Sequence, residues 1–89
     1  MKHDLKIWPT HYSRVRDGSK TFEIRKNDRS FQKGDQVLLK RWNPDLDGFS
    51  IESDYPPLKF DIGDVYPIDA ERVVFSLISP NQTAGDKDE

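Results

Sequence analysis

Gly18-Ser19-Lys20-Thr21-Phe22-Glu23-Ile24-Arg25-Lys26-Asn27-Asp28-Arg29 decides how this chain is read. A glycine closes one element, and a strand-like alternation follows whose polar positions carry both signs of charge. Successive side chains of a strand point to opposite faces, so Phe22 and Ile24 share one face and Thr21, Glu23 and Arg25 the other. The reading turns Phe22 and Ile24 toward a core. It leaves a carboxylate beside a guanidinium on the opposite face, with Lys20 at the start of the strand. A structural strand in a small domain has little need of so much charge on one face, and this is where function is sought.

Working outward toward the N-terminus, Leu5 and Ile7 alternate with Asp4 and Lys6 and predict a strand over His3 to Trp8. Pro9 suits a first helical position, Tyr12 and Val15 follow helical spacing, and Gly18 suits a C-terminal cap, so a helix is predicted over Pro9 to Asp17. Toward the C-terminus, Thr21 to Lys26 is a strand and Asn27 to Ser30 a loop, with Phe31 anchoring that loop in the core. Lys33-Gly34-Asp35 reads as a turn, Gln36 to Trp42 as a strand, and Asn43 to Gly48 as a loop or hairpin turn. Phe49 and Ile51 begin a further strand. Pro56-Pro57 interrupts, and Leu58, Phe60 and Ile62 form another strand before Gly63. Val65 to Ile68 reads as irregular and Arg72 to Ile78 as a final, central strand. Residues 80–89 read as a disordered acidic tail, which leaves residues 1–79 as a single domain. The fold class is mainly β (α+β): five or six short strands with one N-terminal helix, curled into a small sheet or barrel that protects its edges.

Eighty-nine residues give one domain with a small core. The chain has no cysteine, hence no disulfide and no thiolate metal site. Its two histidines, His3 and His11, lack metal-ligand spacing. No apolar run approaches the roughly 20 residues of a membrane helix, and the N-terminal residues lack the apolar stretch of a signal peptide. These features predict a soluble cytoplasmic protein without metal or cofactor, a monomer or weak dimer. Dinucleotide, P-loop and nucleophile-elbow motifs are absent. The net charge of −2 conceals a polarity. Residues 1–44 carry eleven lysines and arginines against five acids, net +6, and residues 45–89 carry three against eleven, net −8. A basic face for an anionic partner is one reading of this; interleaving of the halves on the surface is the other.

The helix over Pro9 to Asp17, the segment Gly18-Ser19-Lys20-Thr21-Phe22-Glu23-Ile24-Arg25 and the turn Phe31-Gln32-Lys33-Gly34-Asp35 together resemble the ASCH domains of the PUA-like superfamily. The resemblance is strongest to a short bacterial and phage branch, and it covers His3 to Trp42 and extends to the last strand. It implies a PUA-like β-barrel with a cleft beside the Gly-x-Lys-Thr segment, and RNA or a nucleotide derivative as ligand. Some members are amidohydrolases of acetylated cytidine, whose catalytic set is a lysine in that segment, a threonine three residues later and a distant glutamate. Lys20 matches the lysine. Glu23 stands where the threonine is expected, and the helical insertion that carries the glutamate is lacking, which leaves the binding cleft as the stronger implication.

The residues themselves support the same region. A lysine next to a guanidinium in a partly desolvated cleft suits a base or nucleophile, Glu23 suits a proton acceptor or an orienting group for Lys20, and Arg25 suits bidentate capture of a phosphate or carboxylate. The structural alternative is an ion pair on a solvated sheet face, worth about 0.2–1 kcal/mol. Lys26 and Arg29 extend the positive charge, Asn27 and Asp28 suit turn capping, and His3 is placed at the barrel mouth. Trp42, beside Lys40 and Arg41, offers a stacking ring in basic surroundings. The candidate set is therefore Lys20 and Glu23 for catalysis, and His3, Lys20, Glu23, Arg25, Lys26, Arg29 and Trp42 for binding RNA or a nucleoside. A protein-interaction module acting through the acidic half is the remaining alternative.

Overall fold

The computed structural model describes residues 1–80. In chain order its elements are β1 (Lys2–Ile7), α1 (Pro9–Arg16), β2 (Phe22–Lys26), β3 (Gln36–Asn43), β4 (Gly48–Phe49), β5 (Leu58–Pro67) and β6 (Arg72–Ile78). The mainly β chain with one short N-terminal helix is present as expected. Of the tail assigned to residues 80–89, all but Pro80 lies outside the described residues. Among those residues no helix is long and apolar enough to cross a membrane.

The strands form one sheet in the order β1-β3-β5-β6-β2, with β4 added beside the far end of β3. β1 and β3 run parallel, and every other pair is antiparallel. A parallel pair needs a long crossover, and α1 and β2 lie within it. β1 alternates strictly, with His3, Leu5 and Ile7 buried and Lys2, Asp4 and Lys6 exposed. Leu5 and Ile7 join Val37 and Leu39 of β3, Ile62 of β5, and Val73, Phe75 and Leu77 of β6 in the core. Phe31 closes that core from the loop before β3, as expected, with its ring 4.9 Å from that of Phe75.

Eight residues make a marginal helix in water, and tertiary burial stabilises α1. Pro9 starts it without a side-chain cap, Arg14 and Arg16 sit favourably in its last turn, and Tyr12 and Val15 bury one face. The Tyr12 hydroxyl donates to the Pro56 carbonyl at 2.6 Å, which ties the helix to the segment before β5. Gly18 ends the helix with φ of 86°, a left-handed conformation that glycine adopts without a Cβ penalty. The Lys20 amide then donates back to the Arg14 carbonyl at 3.0 Å, which returns the chain alongside the helix.

Four expectations about the fold are corrected. The first concerns β2. Phe22 and Ile24 are 43% and 47% exposed, whereas Glu23 is only 3% exposed. Pairing with β6 sets this orientation: Glu23 lies opposite Phe75 and Arg25 opposite Val73, and directly opposed residues share a face. Because Val73 and Phe75 face the core, the charged residues of β2 face inward with them. The second concerns closure. The sheet is not closed into a barrel: β1 and β2 are its end strands. Across the seam the Arg25 Nη2 donates to the Lys6 carbonyl at 2.7 Å and the Arg29 Nη1 to the Asp4 carbonyl at 2.9 Å. Guanidinium groups stand where barrel closure would have placed a backbone ladder.

The third concerns β5, which continues through Gly63 to Pro67, although a stop and an irregular segment were expected there. A register shift between Ile62 and Val65 accommodates it. A Cβ on Gly63 would collide with the Ser76 Oγ and come within 2.8 Å of the Ile78 Cδ1, so any larger residue at the bulge must displace those side chains. Ser76 Oγ accepts from the Asp64 amide at 2.9 Å. Fourth, the strand expected over Phe49 and Ile51 is limited to the two residues of β4, and Ile51 lies beyond it, exposed.

Candidate functional site

A cleft of about 1040 Å³ opens between the end of β1, helix α1 and strand β2. Every residue lining it comes from the basic first half of the chain, between Lys6 and Arg25. Four cationic side chains, Lys6, Arg14, Lys20 and Arg25, face two carboxylates, Asp17 and Glu23. Ile7, Trp8, Phe22 and Ile24 supply the apolar part of the wall. The basic half of the sequence thus supplies the whole cleft lining, although its strands β2 and β3 pair with β6 and β5 of the acidic half. Among the described residues one ion pair, the exposed Lys33–Asp64 at 3.7 Å, links the basic half to the acidic half.

Glu23 organises the floor. Its carboxylate, 4% exposed, accepts from Lys20 Nζ at 3.2 Å and from Arg25 Nε at 3.0 Å. A buried carboxylate with two cationic donors is compensated for its lost hydration, and its donors are held in turn. Arg25 is anchored a second time by the Lys6 carbonyl. Lys20 Nζ also lies 3.1 Å from His11 Nδ1. An ammonium has no lone pair, so His11 Nδ1 is the acceptor in this contact. Lys20 thus spends two of its three N–H donors on fixed neighbours, with the third left for a ligand.

At the helix end, the Ser19 amide donates to Asp17 Oδ1 at 2.8 Å. Hydrogen bonding from Ser19 holds the Asp17 carboxyl below the usual carboxylate range, helped by the nearby Arg14 charge. Asp17 therefore stays charged and keeps the turn that places Lys20. Arg14, whose charge acts on Asp17, stands on the helical wall of the cleft.

The sequence-predicted residues divide into groups. Lys20, Glu23 and Arg25 are brought together. Lys26 and Arg29 line a separate hollow of about 150 Å³ at the β1–β2 seam, with Leu5 and Phe31. Trp42 lies outside the cleft on β3, 3.7 Å under the Lys6 ammonium and edge-on to Phe49 at 5.0 Å. His3 is inside the fold, not at a mouth: it is 4% exposed, 4.7 Å from the Phe31 ring, and its Nε2 donates to Asp35 Oδ2 at 2.9 Å. The His3 hydrogen bond pulls the Asp35 carboxyl down from its ordinary 3.8, and the Gln32 amide adds to the effect. His3 and Asp35 clamp the loop before β3 to β1. His11 and Arg14 were missed in the sequence, where His11 reads as a solvated helix residue. Their spacing of three places them on one helical face, and the Gly18 turn brings that face against Lys20. No group of three or more histidines and acids among the described residues is placed to hold a metal.

Fold and site define a small α+β domain with one basic, amphiphilic cleft between an end strand and a short helix. The chain belongs to the family described as a domain of unknown function, DUF3850, whose model matches residues 2–77. It is also 35% identical over 40 residues to an uncharacterized 12.9 kDa protein in the GpA 3′ region of Escherichia phage P2. That match covers 45% of this chain and 37% of the phage protein.

Proposed function

We propose that the domain binds RNA or a modified nucleoside in the cleft between α1 and β2. The observation that carries the reading is Glu23, a buried carboxylate that pins Lys20 and Arg25 to the floor of a cavity with four cations on its wall. Preorganised cations favour an anionic or carbonyl-rich ligand, and the apolar wall of Trp8, Phe22 and Ile24 suits the face of a base. The ASCH resemblance over His3 to Trp42 points to the same ligand class.

Chemical-shift titration of labelled protein with cytidine, acetylated cytidine and a short RNA tests it. Shifts at His11, Arg14 and Lys20 to Arg25 are expected, with RNA affinity falling as salt rises. No saturable shift at low salt with any of the three overturns the reading.

A second reading, hydrolysis of an acylated nucleobase, draws on the placement of Lys20 Nζ between His11 Nδ1 and Glu23 Oε2. It requires release of acetate from acetylcytidine by the wild type and loss of that release in Lys20→Ala; absence of turnover in the wild type removes it.

A further inference from the structure

The cleft does not end at β1. The outward face of β1 carries Lys6, whose side chain lines the cleft and whose ammonium also lies 3.7 Å from the Trp42 ring on β3. Trp42 in turn packs edge-on against Phe49, its partner in the β3–β4 pairing, at 5.0 Å and 86°. Phe49 is 56% exposed, and Lys40 Nζ lies 5.9 Å from its ring and 3.5 Å from an Asp4 carboxylate oxygen. A cross-strand aromatic pair by itself accounts for the contact between Trp42 and Phe49. It does not account for leaving the Phe49 ring half in solvent, or for two lysines brought over these two rings. An exposed ring with a lysine beside it, packed on a second ring whose own lysine also lines a basic cleft, matches the way single-stranded nucleic acid is held: phosphates on cations and successive bases on aromatic faces.

We infer that the binding track runs from the cleft over Lys6 onto the β3–β4 hairpin, so that the ligand is a single-stranded polynucleotide, with one nucleotide in the cleft and a neighbouring base stacked on Phe49. This rests on the nucleic-acid reading of the cleft and narrows it to a strand of at least two nucleotides. Two features argue for this occupant. The track is continuous with the cleft through Lys6. Its charge is also complementary to phosphate, since Lys6 and Lys40 stand along it and, among the described residues, Asp4 is the one acid that contacts either.

The test compares cytidine 5′-monophosphate with a fluorescein-labelled hexacytidylate, by chemical-shift titration and anisotropy at one salt concentration. The hexamer is expected to bind at least tenfold more tightly than the monophosphate. Phe49→Ala is expected to weaken the hexamer about tenfold and leave the monophosphate unchanged, while Phe49→Tyr retains the hexamer affinity. Circular dichroism of each variant confirms the fold. If the hexamer gains nothing over the monophosphate, or if a folded Phe49→Ala binds it as the wild type does, the inference falls and the cleft reading stands. If the monophosphate and hexamer both fail to bind, the inference falls together with the RNA form of the cleft reading, and the modified nucleoside alone is left to the acetylcytidine titration.

Discussion

Glu23→Gln puts the inward orientation of β2 to the test. Gln keeps the shape of the side chain and removes its charge, so the change isolates the ion pairs to Lys20 and Arg25. Removing one partner of a buried ion pair costs about 3–5 kcal/mol, because the other charge is left uncompensated. Here Lys20 and Arg25 retain 15% and 24% side-chain exposure, and water recovers part of that cost. The expected loss is therefore about 2–3 kcal/mol, a large share of the roughly 5–10 kcal/mol available to a domain of this size. Urea unfolding followed by tryptophan fluorescence reads it. With a slope of about 1 kcal/mol per molar for a small domain, the midpoint should fall by about 2 M with the slope unchanged. A shift below about 0.5 M would refute the reasoning, because a solvated Glu23 on an outward face contributes no more than a surface ion pair. The same variant should weaken ligand binding, since Lys20 and Arg25 lose their common anchor.

The complementary substitution Ile24→Thr should cost under about 1 kcal/mol in the same assay, since its side chain is half in solvent; a loss of about 2–3 kcal/mol would place it in the core. Gly63→Ala should destabilise by about 1–3 kcal/mol, because the added methyl meets Ser76 and Ile78, and an unchanged melting temperature would contradict the close passage of β5 and β6. Asp35 has a folded pKa below its ordinary 3.8, so it contributes stability above about pH 4 that is lost as pH falls through the folded value. Asp35→Asn should be less stable at neutral pH and flatter in its acid limb below about pH 4, and a profile parallel to that of the wild type would show that Asp35 carries no such linkage.

Local chemistry was legible where one residue type admits one role. Pro9 and Gly18 bracket the helix, the alternation of Leu5 and Ile7 marks β1, and Phe31 anchors its loop. The charges of Lys20, Glu23 and Arg25 were legible as one cluster, because close spacing along a strand and its entrance keeps side chains within reach of one another. What failed was information held by a distant partner. Alternation in β2 states which residues share a face, but pairing with Val73 and Phe75 decides which face turns inward. Apolar Phe22 and Ile24 gave the wrong answer because a buried carboxylate with two cationic partners can occupy an inner face at the end of a sheet. β5 was cut short because Gly63 and Pro67 read as breakers, although one permits a bulge and the other ends the pairing. Closure was overestimated because nothing local reveals that Arg25 and Arg29 occupy the seam. His11 and Arg14 were overlooked because their relation to Lys20 exists only after the Gly18 turn.

The strand order also fixes when the site can come into being. β2 has one backbone neighbour, β6, and Phe22 pairs with Ser76. β1 likewise waits for β3, from Gln36 onward, before it has a partner. A chain emerging from the ribosome can form α1 and the Gly18 turn early, but Glu23 has no inward face to occupy until Val73 and Phe75 arrive. Such long-range pairings make folding slow relative to local structure. The cleft is thus a late product of synthesis, assembled by the last strand of the domain from residues translated among the first. A chain truncated before Arg72 would carry every cleft residue and no cleft.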